Sequence, residues 1–285
     1  MRIVRRIKEM QSFSKAMHRK GKTIGFVPTM GALHQGHLSL IRRARQDNDK
    51  VVVSIFVNPI QFGPQEDYKR YPRNLGRDAR LCRSAGVDVI FYPDVTQMYP
   101  DSYKTYVCVV DLSDVLCERF RPGHFKGVVT VVTKLFNIVS PDFAYFGQKD
   151  AQQAIIIRKM VEDLNLPMKI KIMPTLREKD GLALSSRNIY LNQDERREAC
   201  VLYEALRLAR KLIKRGNKNS LDIIGKTRQL INQKKSARLQ YISIVDLKDL
   251  RPVGKIKDRV LIALAVWIGK TRLIDNIIVN PKIMK

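Results

Sequence analysis

Between residues 23 and 174, strand-sized apolar runs alternate with segments of helical period, and that alternation leaves few folds open. It is the pattern of a parallel sheet whose strands are joined by crossover helices. Strands are read over 23–27, 51–57, 87–92, 143–146 and 169–173, with helices over 37–45, 76–84, 127–139 and 152–164. After Asp180 and Gly181 the texture changes. Residues 194–214 read as one basic amphipathic helix and 220–233 as a second. The apolar runs that follow, at 239–245, 260–266 and 273–279, are separated by loops too short for crossover helices, which favours antiparallel pairing. The expectation is α/β, a Rossmann-like parallel sheet with helices on both faces over 1–180, then a smaller α+β domain over 181–285. A chain of 285 residues, 45% hydrophobic, can bury cores of that size.

No apolar run approaches the roughly 18 to 20 residues that cross a bilayer. The segment from Met1 to Arg6 is basic, but Lys8, Glu9, Gln11 and Ser12 interrupt any apolar stretch behind it, so neither a membrane span nor a signal peptide is expected. Cys82, Cys108, Cys117 and Cys200 form no C-x-x-C pair, a usage that fits reduced thiols in the cytoplasm. The net charge of +26 could draw nucleic acid or steer anionic substrates. The basic residues are spread along the chain, however, and no Arg/Lys block interleaves with aromatic residues. That favours a general lysine and arginine bias over a dedicated nucleic-acid surface.

Three clusters carry chemistry. Pro28-Thr29-Met30-Gly31-Ala32-Leu33-His34-Gln35-Gly36-His37 follows the first long strand and opens a helix. Ligands of open α/β sheets sit beyond the carboxyl ends of the strands, where a helix N-terminus offers N–H groups and positive dipole to an anion. Two histidines there can reach a phosphate, and Gly31 and Gly36 permit a sharp bend and close backbone approach. A zinc site is the rival reading, but no third His or Cys lies at a usual spacing. Phe146-Gly147-Gln148-Lys149-Asp150 again follows a strand, and Lys149 is a compact charge for phosphate or a plain solvated lysine. In Asp180-Gly181-Leu182-Ala183-Leu184-Ser185-Ser186-Arg187-Asn188 two hydroxyls stand beside a guanidinium, fit for phosphate oxygens or for an ordinary surface loop.

Together with Asn58-Pro59-Ile60-Gln61-Phe62-Gly63, Arg121-Pro122-Gly123-His124-Phe125 and Asp150-Ala151-Gln152-Gln153, these clusters resemble the pantothenate synthetases, also called pantoate-beta-alanine ligases, over essentially the whole chain. H-x-G-H alone is shared across the nucleotidyltransferase superfamily and class I aminoacyl-tRNA synthetases. The N-P-x-Q-F, R-P-x-H-F and S-S-R-N set is far more specific.

The resemblance implies an ATP-dependent enzyme that makes pantoyl adenylate from pantoate, then pantothenate and AMP by attack of beta-alanine. It implies that Met30, Gly31, Ala32, Leu33, His34, Gln35, Gly36 and His37 line the ATP site, with His37 as proton donor and His34 on phosphate. Gly147, Gln148, Lys149 and Asp150 would hold the nucleotide, Leu176 would meet the adenine through its backbone, and Leu184, Ser185, Ser186 and Arg187 would close over the triphosphate. Gln61, Gln153, Asn58 and Arg121 map to the pantoate pocket, Arg121 alternatively to a subunit interface. Also implied are magnesium on the phosphates, a homodimer, and a C-terminal lid. Leu184 stands where the family often has Met, Ala151 replaces a larger residue, and the basic charge is outside the family pattern. Two rivals stay open: another adenylyl or cytidylyl transferase, which would need a basic phosphate pocket in place of Gln61 and Gln153, and an RNA-binding relative of a tRNA synthetase.

Overall fold

The computed structural model describes residues 1–64, 66–112, 116 and 120–282. In chain order its elements are β1 (Arg2–Val4), α1 (Ile7–Arg19), β2 (Ile24–Thr29), α2 (Gln35–Asp47), β3 (Lys50–Ile55), α3 (Leu75–Ser84), β4 (Val89–Phe91), α4 (Val95–Met98), α5 (His124–Val139), β5 (Phe143–Gly147), α6 (Ala151–Asp163), β6 (Lys169–Met173), α7 (Gln193–Glu198), α8 (Val201–Lys214), α9 (Ser220–Asn232), β7 (Ala237–Asp246), β8 (Val260–Ile268) and β9 (Thr271–Val279). They fall into two compact units, Met1–Gly147 with Gln153–Pro174, and Gln148–Gln152 with Thr175–Lys285.

The first unit holds a six-stranded sheet in the order β1-β4-β3-β2-β5-β6, parallel at every pairing. Alternate residues of a strand face opposite sides. Val51, Val53 and Ile55 pack with Leu38, Ile41 and Ala44 of α2 and Cys82 of α3. On the other side Phe26 and Phe146 meet Phe136 of α5 edge-on, at 6.3 and 6.4 Å. Helices thus cover both faces, as the continuous apolar runs of a parallel sheet require. Neither β1 nor α1 is among the elements that the sequence pattern predicts. A three-residue strand shows no period, and α1 buries only Met10 and Ser14.

Strand order reverses direction at β2, and there the sheet opens. Its pairing with β3 runs the full length, from Ile24↔Lys50 to Thr29↔Ile55, whereas its pairing with β5 stops after Gly25↔Phe143 and Phe26↔Ala144. Pro28 supplies the reason. Thr29 accepts from Phe56 N on the β3 side and Ile24 accepts from Asp142 N on the β5 side, so alternation turns Pro28 toward β5, where it has no N–H to donate. The two strands part at their carboxyl ends, at the topological switch point where open α/β sheets bind ligands.

In the second unit β7, β8 and β9 form an antiparallel sheet in that order. Leu202, Leu206 and Ile213 of α8 and Ile223 and Ile231 of α9 share a core with Ile244, Ile262 and Leu264 of the sheet. The single helix read over 194–214 is in fact two. At Ala199 and Cys200 the chain tightens into three-residue hydrogen bonds, Leu202 N to Ala199 O at 3.2 Å and Tyr203 N to Cys200 O at 3.1 Å, which separate α7 from α8. Among the described residues no helix is long and apolar enough to cross a membrane. Cys82, Cys108 and Cys200 are free thiols, and Cys117 lies outside the described residues.

Candidate active site

The turn from β2 into α2 is the most constrained part of the first unit. Gly31 adopts φ +80°, and a Cβ there would press to 3.0 Å from both Asp78 Oδ2 and Ile55 Cγ2, so a larger residue is excluded on two counts. Gly36, expected to share in the bend, is instead the second residue of α2. His34 caps the helix. Its Nδ1 accepts from Gly36 N at 3.1 Å, while His34 N donates to His37 Nδ1 at 3.4 Å, a capping box built from two imidazoles. A ring nitrogen that accepts carries no proton, so these bonds assign the proton of each neutral ring to Nε2. The rings lie 4.1 Å apart.

Asp78 of α3 fastens this turn, and the sequence reading missed it. Its Oδ2 accepts from Ala32 N and its Oδ1 from Leu33 N, both at 2.9 Å, and Arg77 donates to Leu33 O at 3.0 Å. Burial pushes the Asp78 carboxyl above its ordinary range, opposed by the two N–H donors. The signal was legible: Asp78 and Cys82, four residues apart, form the buried stripe of α3, and a carboxylate on such a stripe needs partners. A cavity of about 150 Å³ opens beside Met30, Gly31 and Asp78.

A second group in the same unit surrounds Gln61. Tyr99 Oη donates to Asn58 Oδ1 at 2.9 Å, and Asn58 Nδ2 donates to Gln61 Oε1 at 3.0 Å and to Gly127 O at 3.1 Å. These bonds turn the Gln61 amide nitrogen toward Met30 Sδ, 3.2 Å away. Gly127 of α5 permits the arrangement, because a Cβ there would lie 2.4 Å from Ile60 O. Arg121 is chelated by Glu66, at 2.6 and 2.5 Å, and donates to His124 Nε2 at 2.9 Å. His124 then carries its proton on Nδ1 and donates to Gln61 O at 2.8 Å. Burial works to raise the Glu66 carboxyl, but the Arg121 guanidinium holds it below the usual range. Arg121 thus stands behind Gln61. Gln153, half-buried, lies in the first turn of α6.

The remaining candidates after Gly147 belong to the second unit. Lys149 Nζ lies 3.5 Å from Asp150 Oδ1, in a 3-10 turn, Gln148–Asp150, that leads into α6. Leu176 and Leu184 face each other across a short hairpin, Leu184 N donating to Leu176 O at 3.0 Å. Ser185 caps the turn Ser186–Tyr190, its Oγ accepting from Arg187 N at 3.3 Å. Among the described residues no group of three or more His, Cys, Asp or Glu side chains is placed to hold a metal ion.

A parallel α/β sheet that opens at its switch point, with a histidine-capped helix on the turn, defines a nucleotide-binding enzyme class. Comparison with known proteins narrows it. The pantoate-beta-alanine ligase family model matches residues 2–278. The chain belongs to the pantoate-beta-alanine ligase family and is a ligase of that type. The pantothenate synthetases of Caldicellulosiruptor saccharolyticus and Fervidobacterium nodosum are 55% and 56% identical to it over 280 residues, covering 98% of this chain and 100% of each relative. The crystal structure of pantothenate synthetase from Thermus thermophilus superposes with a TM-score of 0.92 at 44% identity, covering 97% of this chain and 99% of that one. A pantoate-beta-alanine ligase from Francisella tularensis, solved with beta-gamma ATP and beta-alanine, has a TM-score of 0.81 at 39% identity over 99% of this chain and 100% of its own.

Proposed function

We propose that the chain joins pantoate to beta-alanine at the expense of ATP, in two steps. A pantoate carboxylate oxygen attacks the α-phosphorus of ATP, forming pantoyl adenylate and expelling pyrophosphate. The beta-alanine amine then attacks the acyl carbonyl, AMP leaves, and pantothenate is released with loss of the amine proton. The observation that carries this reading is the His34–His37 cap at the open switch point, which sets two imidazole rings 4.1 Å apart at the N-terminus of α2.

No covalent intermediate with the protein is needed, so catalysis lies in alignment and charge stabilisation. His37 Nε2–H donates to phosphate charge as it builds, with His34 beside it. Met30, Gly31, Ala32, Leu33, Gln35 and Gly36 form the wall of the nucleotide site. Lys149 places an ammonium on phosphate and Asp150 meets the ribose. Gly147 and Gln148 supply backbone, and Leu176 and Leu184 frame the adenine side. Ser185, Ser186 and Arg187 bind the departing pyrophosphate. Gln61, Gln153 and Asn58 hold pantoate, and Gln61 also helps to place beta-alanine. Arg121 acts through His124 on the Gln61 carbonyl.

ATP is taken to arrive as its magnesium complex, with water completing the metal's shell, as hard divalent ions on phosphates favour. On the family resemblance, residues 181–285 serve as a lid that keeps water from the adenylate, and the enzyme is a cytoplasmic homodimer. Sedimentation returning only monomer would remove the dimer. Mixing protein with MgATP and pantoate should release pyrophosphate, and adding beta-alanine should yield AMP and pantothenate. Folded protein that releases neither overturns the reading.

A further inference from the structure

The turn that carries Lys149 is held by a residue remote from it in sequence. The run 273–279 is apolar except for Asp275 and Asn276, and both are buried in β9. Asn276 Nδ2 donates to Gln148 O and to Lys149 O, each at 2.8 Å, and its Oδ1 lies 3.4 Å from Gln148 Nε2. Both amide protons are thus spent on consecutive carbonyls at the turn that carries Lys149. The opposite amide orientation would set an oxygen against two oxygens, so the assignment is unambiguous. Few side chains can do this. Aspartate has no donor, serine has one, and glutamine is a methylene too long.

The preceding residue holds the other nucleotide segment. Asp275 receives both arms of Arg177, at 2.6 and 2.9 Å, and Arg177 donates onward to Gly181 O at 3.1 Å while its guanidinium stacks 3.9 Å above the Tyr203 ring. Arg177 lies in the hairpin that pairs Leu176 with Leu184. One step of β9 therefore anchors the turn of Lys149 and the hairpin that leads into Ser185. Asp275 and Asn276 are themselves buried, so each would be costly to leave without its partner.

We propose that Asn276 is a positioning residue for adenylate formation: by holding the Gln148 and Lys149 carbonyls it aims the Lys149 ammonium at phosphate. The inference rests on the reading of Lys149 as a phosphate contact, and its test separates the two. Misplacement of a reacting group by an ångström costs about 100-fold, and Asn276→Ala is expected to lower kcat for pantoate-dependent pyrophosphate release by about 10- to 100-fold on that scale, with pantoate KM unchanged. In a Lys149→Ala background the same change should add less than about 2-fold, since coupled groups are not additive. Equal losses in the two backgrounds would mark Asn276 as a general structural residue and overturn the proposal, as would normal turnover of Asn276→Ala. Amide hydrogen exchange gives a readout apart from activity. Residues 148–152 should exchange faster in Asn276→Ala with β8 protection unchanged, and undisturbed protection at 148–152 sinks the clamp. Lys149→Ala with full turnover would instead refute the role of Lys149 and, with it, the aiming function assigned to Asn276. Asn276→Ser, with one donor in place of two, serves the same measurements where the alanine variant does not fold.

Discussion

In the first unit the turn from β2 into α2 is shaped largely from within: Gly31 bends it, His34 caps it and His37 returns the cap, with Asp78 reaching in from 45 residues away. In the second unit the turn that carries Lys149 is held by Asn276, 127 and 128 residues away, across β9. Both turns present a positive or donating group at the start of a helix. The first is a local device that needs one neighbouring helix. The second exists only once the C-terminal sheet has formed. Damage to the sheet should therefore reach Lys149 before it reaches the histidines.

The comparison is broken or sharpened by variants of decreasing effect. His37→Ala and Lys149→Ala should each lower kcat about 100- to 1000-fold, within the usual span for a group acting on developing charge. Near-normal turnover in either folded variant removes that residue from the site. Asp78→Asn should cost both activity and stability, because one of the two N–H groups of Ala32 and Leu33 loses its acceptor, at about 1–3 kcal/mol for a buried orphan. Urea unfolding and kcat are measured together, and lower stability with full turnover would show that the turn keeps its shape without the carboxylate. Gln61→Ala and Gln153→Ala should raise pantoate KM about tenfold, the size of one lost polar contact. A change in ATP KM alone contradicts the assignment.

The smallest effect is a pH dependence at the other end of α2. The hydrogen bond from Lys171 holds the Asp47 carboxyl at about 2, below its ordinary 3.8, despite burial, with Arg43 and Tyr145 assisting. A depressed carboxyl stabilises the fold above the unfolded value, and that contribution is lost as pH falls from 3.8 toward 2. Asp47→Asn should melt lower than the parent at about pH 6, with the gap narrowing below about pH 4 and closing only below about pH 2. A constant gap across that range would show that the ion pair is not its source.

Much of the first unit could be read from residues in order. Continuous apolar runs predict strands buried on both faces, and the strands over 23–27, 51–57, 87–92, 143–146 and 169–173 each fall on a strand of the sheet. Asp78 escaped because its meaning depends on which backbone it faces. The split of 194–214 into α7 and α8 escaped because both halves share one helical period, and only the hydrogen bonds at Ala199 and Cys200 part them. Tyr99, His124 and Glu66 were invisible as supports of Gln61, since they lie 38, 63 and 5 residues from it and meet it only after α5 packs on Pro59–Gln61 through Gly127.

Taken alone, the sequence determined the alternation of strands and helices, the family motifs and the glycine turn that carries two histidines into a helix, because periodicity and turn chemistry are properties of neighbouring residues. The tertiary structure decided where β2 and β5 part, which nitrogen of His124 carries its proton, and which strand holds Lys149. Those depend on partners far along the chain, and a buried donor or acceptor acquires its role only when folding brings its partner within hydrogen-bonding distance.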